Sequence, residues 1–427
     1  SRQAGQIINY SSALQRANVT IPFEDIKDDG VNDLLMTGFP SDKDRQVELG
    51  NWRTPPFNRW AFSHVSELVP CAPVRMRKGA EAKLVEGSVD LSAFALDQNG
   101  SAMDLGEWLA ATYTDAIVIL KGDEVIFERY FGEMDRRQQH ILMSVSKSVL
   151  GAVVGCLVEQ GVLDLGAYVT DVIPEIMGSA YDGATLRNLL DMRVGVLFDE
   201  NYHASGGPII EYRKAQLWDP LEIGEAPTDL RRFFRLLTET DGPHEDRFHY
   251  VSPNTDLMGW VVERLSCRRY ADLVSDLIWK PMGAEEDAYI TVDRLGAPRC
   301  AGGFCATTRD LARFGRLLAD GGRAGDTQVL PETWVRDIMD GGDAAAWDRG
   351  DFISLFPDGG MHYRSKWYVE RGAHPMAFGL GVFGQNVFVE PESGLVIAKF
   401  SSQPLPLDPV FTALTHRGIA VIREMAR

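Results

Sequence analysis

The stretch with the clearest chemical potential is Met143-Ser144-Val145-Ser146-Lys147-Ser148, where a serine and a lysine stand three positions apart. Val149, Leu150, Val153, Val154, Leu157 and Val158 follow at helical spacing and Gly161 closes the run, which predicts a helix over Ser146 to Gln160. One helical turn puts Ser144 and Lys147 on the same face. The positive potential of a helix N-terminus, together with burial, can depress a lysine until its neutral amine accepts the serine proton. The same residues would also serve as a serine helix cap and a surface lysine. A second element, Phe248-His249-Tyr250-Val251-Ser252-Pro253-Asn254, lies just before a helix expected from Leu257. The Tyr250 phenol could relay a proton, as base in one step and acid in the next, or be a plain loop aromatic. A third element reads as a strand from Phe378 to Val387. Its glycines would let a substrate backbone approach closely, and the backbone N–H groups of Val382 and Ser144 could form an oxyanion hole. Taken alone, it is equally a glycine-rich edge strand.

Other chemistries find less support. Gly379-Leu380-Gly381-Val382-Phe383-Gly384 fits G-x-G-x-x-G, but a strand-like alternation follows it where a dinucleotide site needs a helix. No G-x-S-x-G, H-E-x-x-H or Walker A sequence occurs, and the eight histidines form no ligand-spaced pair, so neither a metal nor a cofactor is expected.

The elements that must position these residues follow the hydrophobic pattern. Residues 1 to about 110 are irregular, apart from a helix over Leu105 to Thr112. Ala116 to Leu120 and Val125 to Phe131 read as a hairpin about the turn Lys121-Gly122-Asp123. Helical patches fill the middle third: Leu186 to Met192, Leu230 to Leu237, Leu257 to Leu265, Tyr270 to Trp279 and Thr308 to Leu318. Strands return at Val387 to Val389 and Leu395 to Phe400, and a helix closes the chain over Val410 to Met425. Strands at both ends with helices between them predict one sheet built from both termini and an inserted helical lobe.

With 427 residues, the chain can bury a large core without disulfide or metal staples. A net charge of −18 argues against nucleic acid and against an anionic membrane surface as partners. No apolar run reaches the roughly 18 residues of a membrane span. Five scattered cysteines read as small buried hydrophobes, not as a disulfide framework. The first thirty residues hold no basic segment leading into an apolar one, so a cytoplasmic protein is expected.

The three elements together, in this order, resemble the serine β-lactamase and penicillin-binding-protein superfamily, in its class C β-lactamase and family VIII carboxylesterase branch. Similar stretches are Gly161-Val162-Leu163-Asp164-Leu165, Leu186 to Met192, and Gly302-Gly303 through Thr308 to Gly315. The likeness is strongest to 6-aminohexanoate-dimer (nylon-oligomer) hydrolases, in Asn58-Arg59-Trp60-Ala61-Phe62, Asp199-Glu200-Asn201-Tyr202 and Gly384-Gln385-Asn386. It implies an α/β, β-lactamase-like two-lobed fold: an antiparallel sheet flanked by helices, plus an inserted, mainly helical lobe. The expected division is an N-terminal extension at 1–50, an α/β lobe at 51–167 and 321–427, and a helical lobe at 168–320. By position, Ser144 matches the family nucleophile, Lys147 its general base and Tyr250 its proton relay. Tyr202, Ser252, Asn254 and Gly381 become candidate substrate contacts. Gly379-Leu380-Gly381 stands where β-lactamases carry Lys-Thr-Gly, which removes the lysine expected to hold a β-lactam carboxylate. The implied activity is hydrolysis of a small-molecule linear amide or carboxylic ester through an acyl-enzyme on Ser144. Acyl transfer from the same intermediate and a β-lactamase or DD-peptidase activity are the alternatives, and a homodimer is the one macromolecular association left open.

Overall fold

The computed structural model describes residues 35–98 and 100–427; the rest of the expected N-terminal extension, 1–34, lies outside the described residues. The main sheet has eight strands: β1 (Val85–Glu86), β2 (Thr114–Lys121), β3 (Glu124–Tyr130), β4 (Met361–Arg364), β5 (Trp367–Glu370), β6 (Met376–Gly381), β7 (Gln385–Glu390) and β8 (Leu395–Ser401). Their spatial order is β4-β5-β6-β7-β8-β2-β3-β1, so strands from both halves of the chain meet where β8 pairs with β2. The sheet is antiparallel as expected except at one edge, where β1 runs parallel to β3.

The central strands read as continuous apolar runs because both faces of the sheet are covered. Ala116, Val118 and Leu120 of β2 point into one core, and Ile117 and Ile119 into the other. Each fully buried aliphatic side chain of this kind contributes ~1.5–3 kcal/mol. Six helices matter to the argument: α1 (Leu105–Ala111), α2 (Ser146–Glu159), α3 (Pro208–Ala215), α4 (Ser252–Ser266), α5 (Thr308–Ala319) and α6 (Pro409–Ala426). α1 and α6 cover one face, where the Trp108 indole donates to the Leu414 carbonyl at 2.9 Å. α2 and α5 cover the other.

Several expectations need correction. α5 lies on the sheet: a Cβ at Gly315 would stand 2.8 Å from Val396 and 2.9 Å from Val387, so the helix is pressed against β8 and β7. It therefore joins the α/β layer, although the boundary was expected at 320. The middle third, expected to be mainly helical, also carries two short strands. Ala288–Thr291 and Phe304–Ala306 form a second sheet with Cys71–Val74 and His140–Ile141. These strands are three or four residues long or shorter, too brief for alternation to mark them. The expected strand from Phe378 to Val387 is instead a hairpin: β6 ends at Gly381, Val382–Gly384 turn, and Gly381 pairs with Gln385. Phe383 and Gly384 take positive φ there, which a strand cannot continue through. In the described part of the N-terminal extension, Leu35 and Val47 are buried with Trp52 and Phe62. Of the cysteines, Cys156, Cys300 and Cys305 are buried, but Cys71 is half-buried and Cys267 is exposed. Cys267 ends α4 in the left-handed region, which turns it outward from the core.

The two-residue turn joining β4 to β5 presses on the middle of α2. Ser365 and Lys366 both have positive φ, as a tight hairpin of this kind requires. The Ser365 N–H donates to Asp191 at 2.8 Å and the Lys366 amine to the Leu189 carbonyl at 2.6 Å. A Cβ at Gly151 would stand 2.3 Å from the Ser365 carbonyl oxygen, so the absence of a side chain there sets how closely the hairpin meets α2. Gly151→Ala is expected to destabilise the protein by about 1–3 kcal/mol through overpacking, read as a lower urea midpoint at unchanged m-value.

Candidate active site

Ser144 sits in a single 3₁₀ turn, Met143–Val145, one residue before α2 begins. Met143 has φ 45°, an uncommon conformation for a non-glycine residue. The turn is held from three sides. The Leu142 N–H donates to the Phe304 carbonyl at 2.8 Å, and the Ser146 hydroxyl accepts from the Phe304 N–H at 3.1 Å. The end of β6 packs behind it: a Cβ at Gly381 would lie 2.8 Å from the Leu142 carbonyl oxygen and 3.1 Å from the Ser144 nitrogen. Met143 and Val145 are buried, and Ser144 alone of the three is half-exposed.

Lys147, on the first turn of α2, is only 2% exposed. Its Nζ lies 2.8 Å from Ser144 Oγ and donates to the Ala301 carbonyl at 2.7 Å. Burial pushes its amine down from 10.5 to about 7, against the opposing pull of Glu200, and the Arg299 charge lowers it further. Desolvation thus does what was expected of burial and helix potential jointly. Lys366 and Lys399 are buried and depressed as well, and Lys399 Nζ even donates to the Ser401 hydroxyl at 2.6 Å. Ser401, however, is fully buried within the sheet. Ser144 lines an open cleft, and that separates its lysine from the other two.

Tyr250 is buried with its ring centroid 5.0 Å from Lys147 Nζ and 4.9 Å from the Phe352 ring. Burial, and then the Glu200 charge, raise the phenol above its ordinary value, so it stays protonated. The Ser144 and Ser252 hydroxyls near it act to lower its pKa. α4 begins at Ser252, five residues earlier than expected, because Pro253 suits the first turn of a helix. Ser252 thereby becomes a helix-terminal residue facing the cleft. Its N–H donates to Glu200 at 2.6 Å and its hydroxyl to the other oxygen of the same carboxylate. The Tyr202 hydroxyl donates to Glu200 at 2.9 Å. One carboxylate therefore fixes both Tyr202 and Ser252.

The cleft has a volume of about 310 Å³. Ser144, Tyr202, Ser252 and Val382 all line it. Val382 is at the tip of the β6–β7 hairpin, beside the turn that carries Ser144. Lys147 and Tyr250 are buried and not among the lining residues, and two more candidates sit elsewhere. Asn254 is 0% exposed and its carboxamide oxygen accepts from the Tyr181 hydroxyl at 3.0 Å, so it faces the helical core. Its place two residues beyond Ser252 on a helix turns it away from the cleft. Gly381 is wedged between Leu142 and Gln385, as the spacer that lets the hairpin reach the Ser144 turn, and does not line the cleft.

Other residues of the site carried no sequence signal beyond their presence in similar stretches. The Arg299 guanidinium donates to Asp256 at 2.5 Å and lies over the Tyr212 and Trp218 rings at 4.6 and 5.1 Å. Asp256 also accepts from the Ala301 N–H at 2.8 Å, which fixes the very residue whose carbonyl holds Lys147. Leu49, Gly50, Trp52 and Arg53 bring the N-terminal segment to the cleft wall. Among the described residues, no group of three or more His, Cys, Asp or Glu side chains is placed to hold a metal ion. No helix among them is long and apolar enough to cross a membrane.

The chain is similar to known proteins in sequence and in fold. A 6-aminohexanoate-dimer hydrolase of Paenarthrobacter ureafaciens is 36% identical over 368 residues, which is 86% of this chain and 91% of that protein. A solved structure from Bacillus anthracis that carries the 6-aminohexanoate-dimer hydrolase name is 26% identical, with a TM-score of 0.80 over 90% of this chain and 98% of its own. A family VIII carboxylesterase shares the fold at 15% identity and a TM-score of 0.52, over 73% of this chain and 92% of its own. The beta-lactamase family model matches residues 109–421, from within α1 through the Ser144 turn and seven of the eight strands of the main sheet into α6. On that match the chain belongs to the beta-lactamase family.

Proposed function

We propose that this protein is a serine hydrolase that cleaves linear amide or carboxylic ester bonds through an acyl-enzyme on Ser144. The observation that carries the reading is the contact between Lys147 Nζ and Ser144 Oγ, 2.8 Å, at the wall of the cleft, with the amine at about 7. The similarity to a protein named 6-aminohexanoate-dimer hydrolase supports amide cleavage.

In this reading the neutral Lys147 amine takes the Ser144 proton as Oγ attacks the substrate carbonyl carbon. The N–H groups of Ser144 and Val382 meet the developing oxyanion. The protonated Tyr250 gives its proton to the leaving nitrogen or oxygen as that bond to the carbonyl carbon breaks, and recovers one from the Lys147 ammonium. Water then attacks the ester, gives up a proton to the same relay, and restores the serine. Glu200 orients Tyr202 and Ser252 against the substrate. The glycine in place of a lysine at Gly379 leaves no cation on β6 for a β-lactam carboxylate.

Intact protein treated with a fluorophosphonate should gain one adduct at Ser144 by mass spectrometry. Ser144→Ala should lose the adduct and at least ~10³ of the esterase rate on p-nitrophenyl butyrate. Retained turnover in that variant would sink the proposal. The base is active when deprotonated, so kcat/KM should rise with pH through about 7 and level off above it, following the value set for Lys147 by burial. A profile flat from pH 5.5 to 8.5 would remove Lys147 from the role of base. Tyr250→Phe keeps the ring against Phe352 and removes only the hydroxyl. It should slow amides more than activated p-nitrophenyl esters, whose leaving group needs no proton, by about 10²–10⁴.

A further inference from the structure

Part of the cleft wall is rich in hydrogen-bond donors. Arg53, Arg213, Arg299 and Gln216 all line it. Two of the guanidiniums are committed: Arg53 to Asp219, and Arg299 to Asp256 at 2.5 Å. Arg213 differs. It is half-buried, it donates to the Tyr202 carbonyl at 3.0 Å, and among the described residues it forms no ion pair. Its charge is felt by Arg53, whose guanidinium is lowered to about 10, by burial first and with Arg213 and Arg299 adding to it against the pull of Asp219. Two of the three cations are balanced by their own carboxylates, and among the described residues Arg213 is not.

Gln216 ends α3, three residues after Arg213. It is 1% exposed, yet neither its amide nitrogen nor its amide oxygen has a hydrogen-bond partner. Arg53 Nε and Arg299 Nε are likewise buried without partners. Buried polar groups are rarely left so, and orphaned N–H groups on Arg53, Arg299 and Gln216, with one orphaned amide oxygen on Gln216, mark a place where a polar partner is missing. The acidic member of the lining cannot supply it. Both Glu200 oxygens are taken by Tyr202 and Ser252. A guanidinium fork matches a carboxylate better than a neutral carbonyl, and the contact is stronger in a cleft walled by Trp52, Tyr212 and Trp218 than in open water.

We infer that this wall is a carboxylate subsite centred on Arg213, with Gln216 beside it, and that the enzyme selects linear amides or esters whose free end is anionic. The inference rests on the serine hydrolase reading for its substrate and names the substrate's charge. It also separates the cleft from the rest of the molecule, since an overall charge of −18 would by itself repel such a substrate.

The test uses the full chain and linear amides of matched length that end in a carboxylate, a carboxamide or an ammonium group, placed on either side of the scissile bond. The native enzyme should favour the carboxylate on one side. Arg213→Gln should lower the carboxylate-to-carboxamide ratio of kcat/KM by about tenfold to a hundredfold, and Arg213→Glu should turn the preference toward ammonium. The effect should shrink as salt rises. An unchanged ratio on both sides in Arg213→Gln, with Ser144 still labelled by fluorophosphonate, overturns the subsite while leaving the hydrolase reading standing. Calorimetry with the Ser144→Ala chain reads the subsite without turnover. The carboxylate-ended amide should bind more tightly than its carboxamide twin, and Arg213→Gln in that background should erase the difference. Equal affinities of the two amides would overturn the inference whatever the fate of the catalytic proposal.

Discussion

A primary amine is a base near neutral pH only where water is kept from its charged form. At the centre of this protein that condition falls on Lys147, whose side chain is enclosed between α2, α4 and the loop carrying Ala301. Two carboxylates lie near enough to oppose the effect, yet desolvation wins. The structure keeps those carboxylates engaged elsewhere. Asp256 is held by Arg299, by the Tyr212 hydroxyl and by the Ala301 N–H, and Glu200 by Tyr202 and Ser252. Neither forms an ion pair with the lysine, so the amine is left with one serine hydroxyl and one backbone carbonyl. A direct carboxylate partner would favour the charged amine, which cannot accept a proton.

The remaining architecture follows from presenting a half-exposed serine to that amine. The left-handed Met143, the glycine at 381 and the hairpin tip at Val382 bring strand, turn and helix into one small volume. Such local strain persists only where surrounding packing over-determines it. Here the packing comes from a sheet covered on both faces, with α2 and α5 on one side and α1 and α6 on the other. The same scaffold buries two more depressed lysines, so a low amine pKa is not by itself a mark of function. Exposure of the partner serine to a cleft is what distinguishes one of the three.

Much of this was legible in the chain. The helix of the S-x-x-K segment, the hairpin of β2 and β3 and the closing helix run within a few residues of their predicted bounds, because apolar periodicity is strong over long, well-covered elements. Short elements were not legible. The second sheet has strands of two to four residues, and α4 starts early on the strength of a proline that reads equally as a loop residue. Asn254 looked like a site residue through its closeness in sequence to Ser252, and the helical turn between them sends it into the core.

The sequence by itself determined the reactive types and their local spacing: a serine and a lysine one turn apart, a tyrosine before a helix, a glycine-rich hairpin. These are short-range facts, set by helix pitch and backbone freedom, and need no knowledge of the fold. Only the tertiary structure decided which of them share a cleft, that Glu200 holds both Tyr202 and Ser252, and that Arg53, Arg213 and Arg299 converge from separate parts of the chain. Burial and electrostatics depend on what surrounds a group in space. Residues a hundred and more positions apart supply those surroundings, and no local pattern records them.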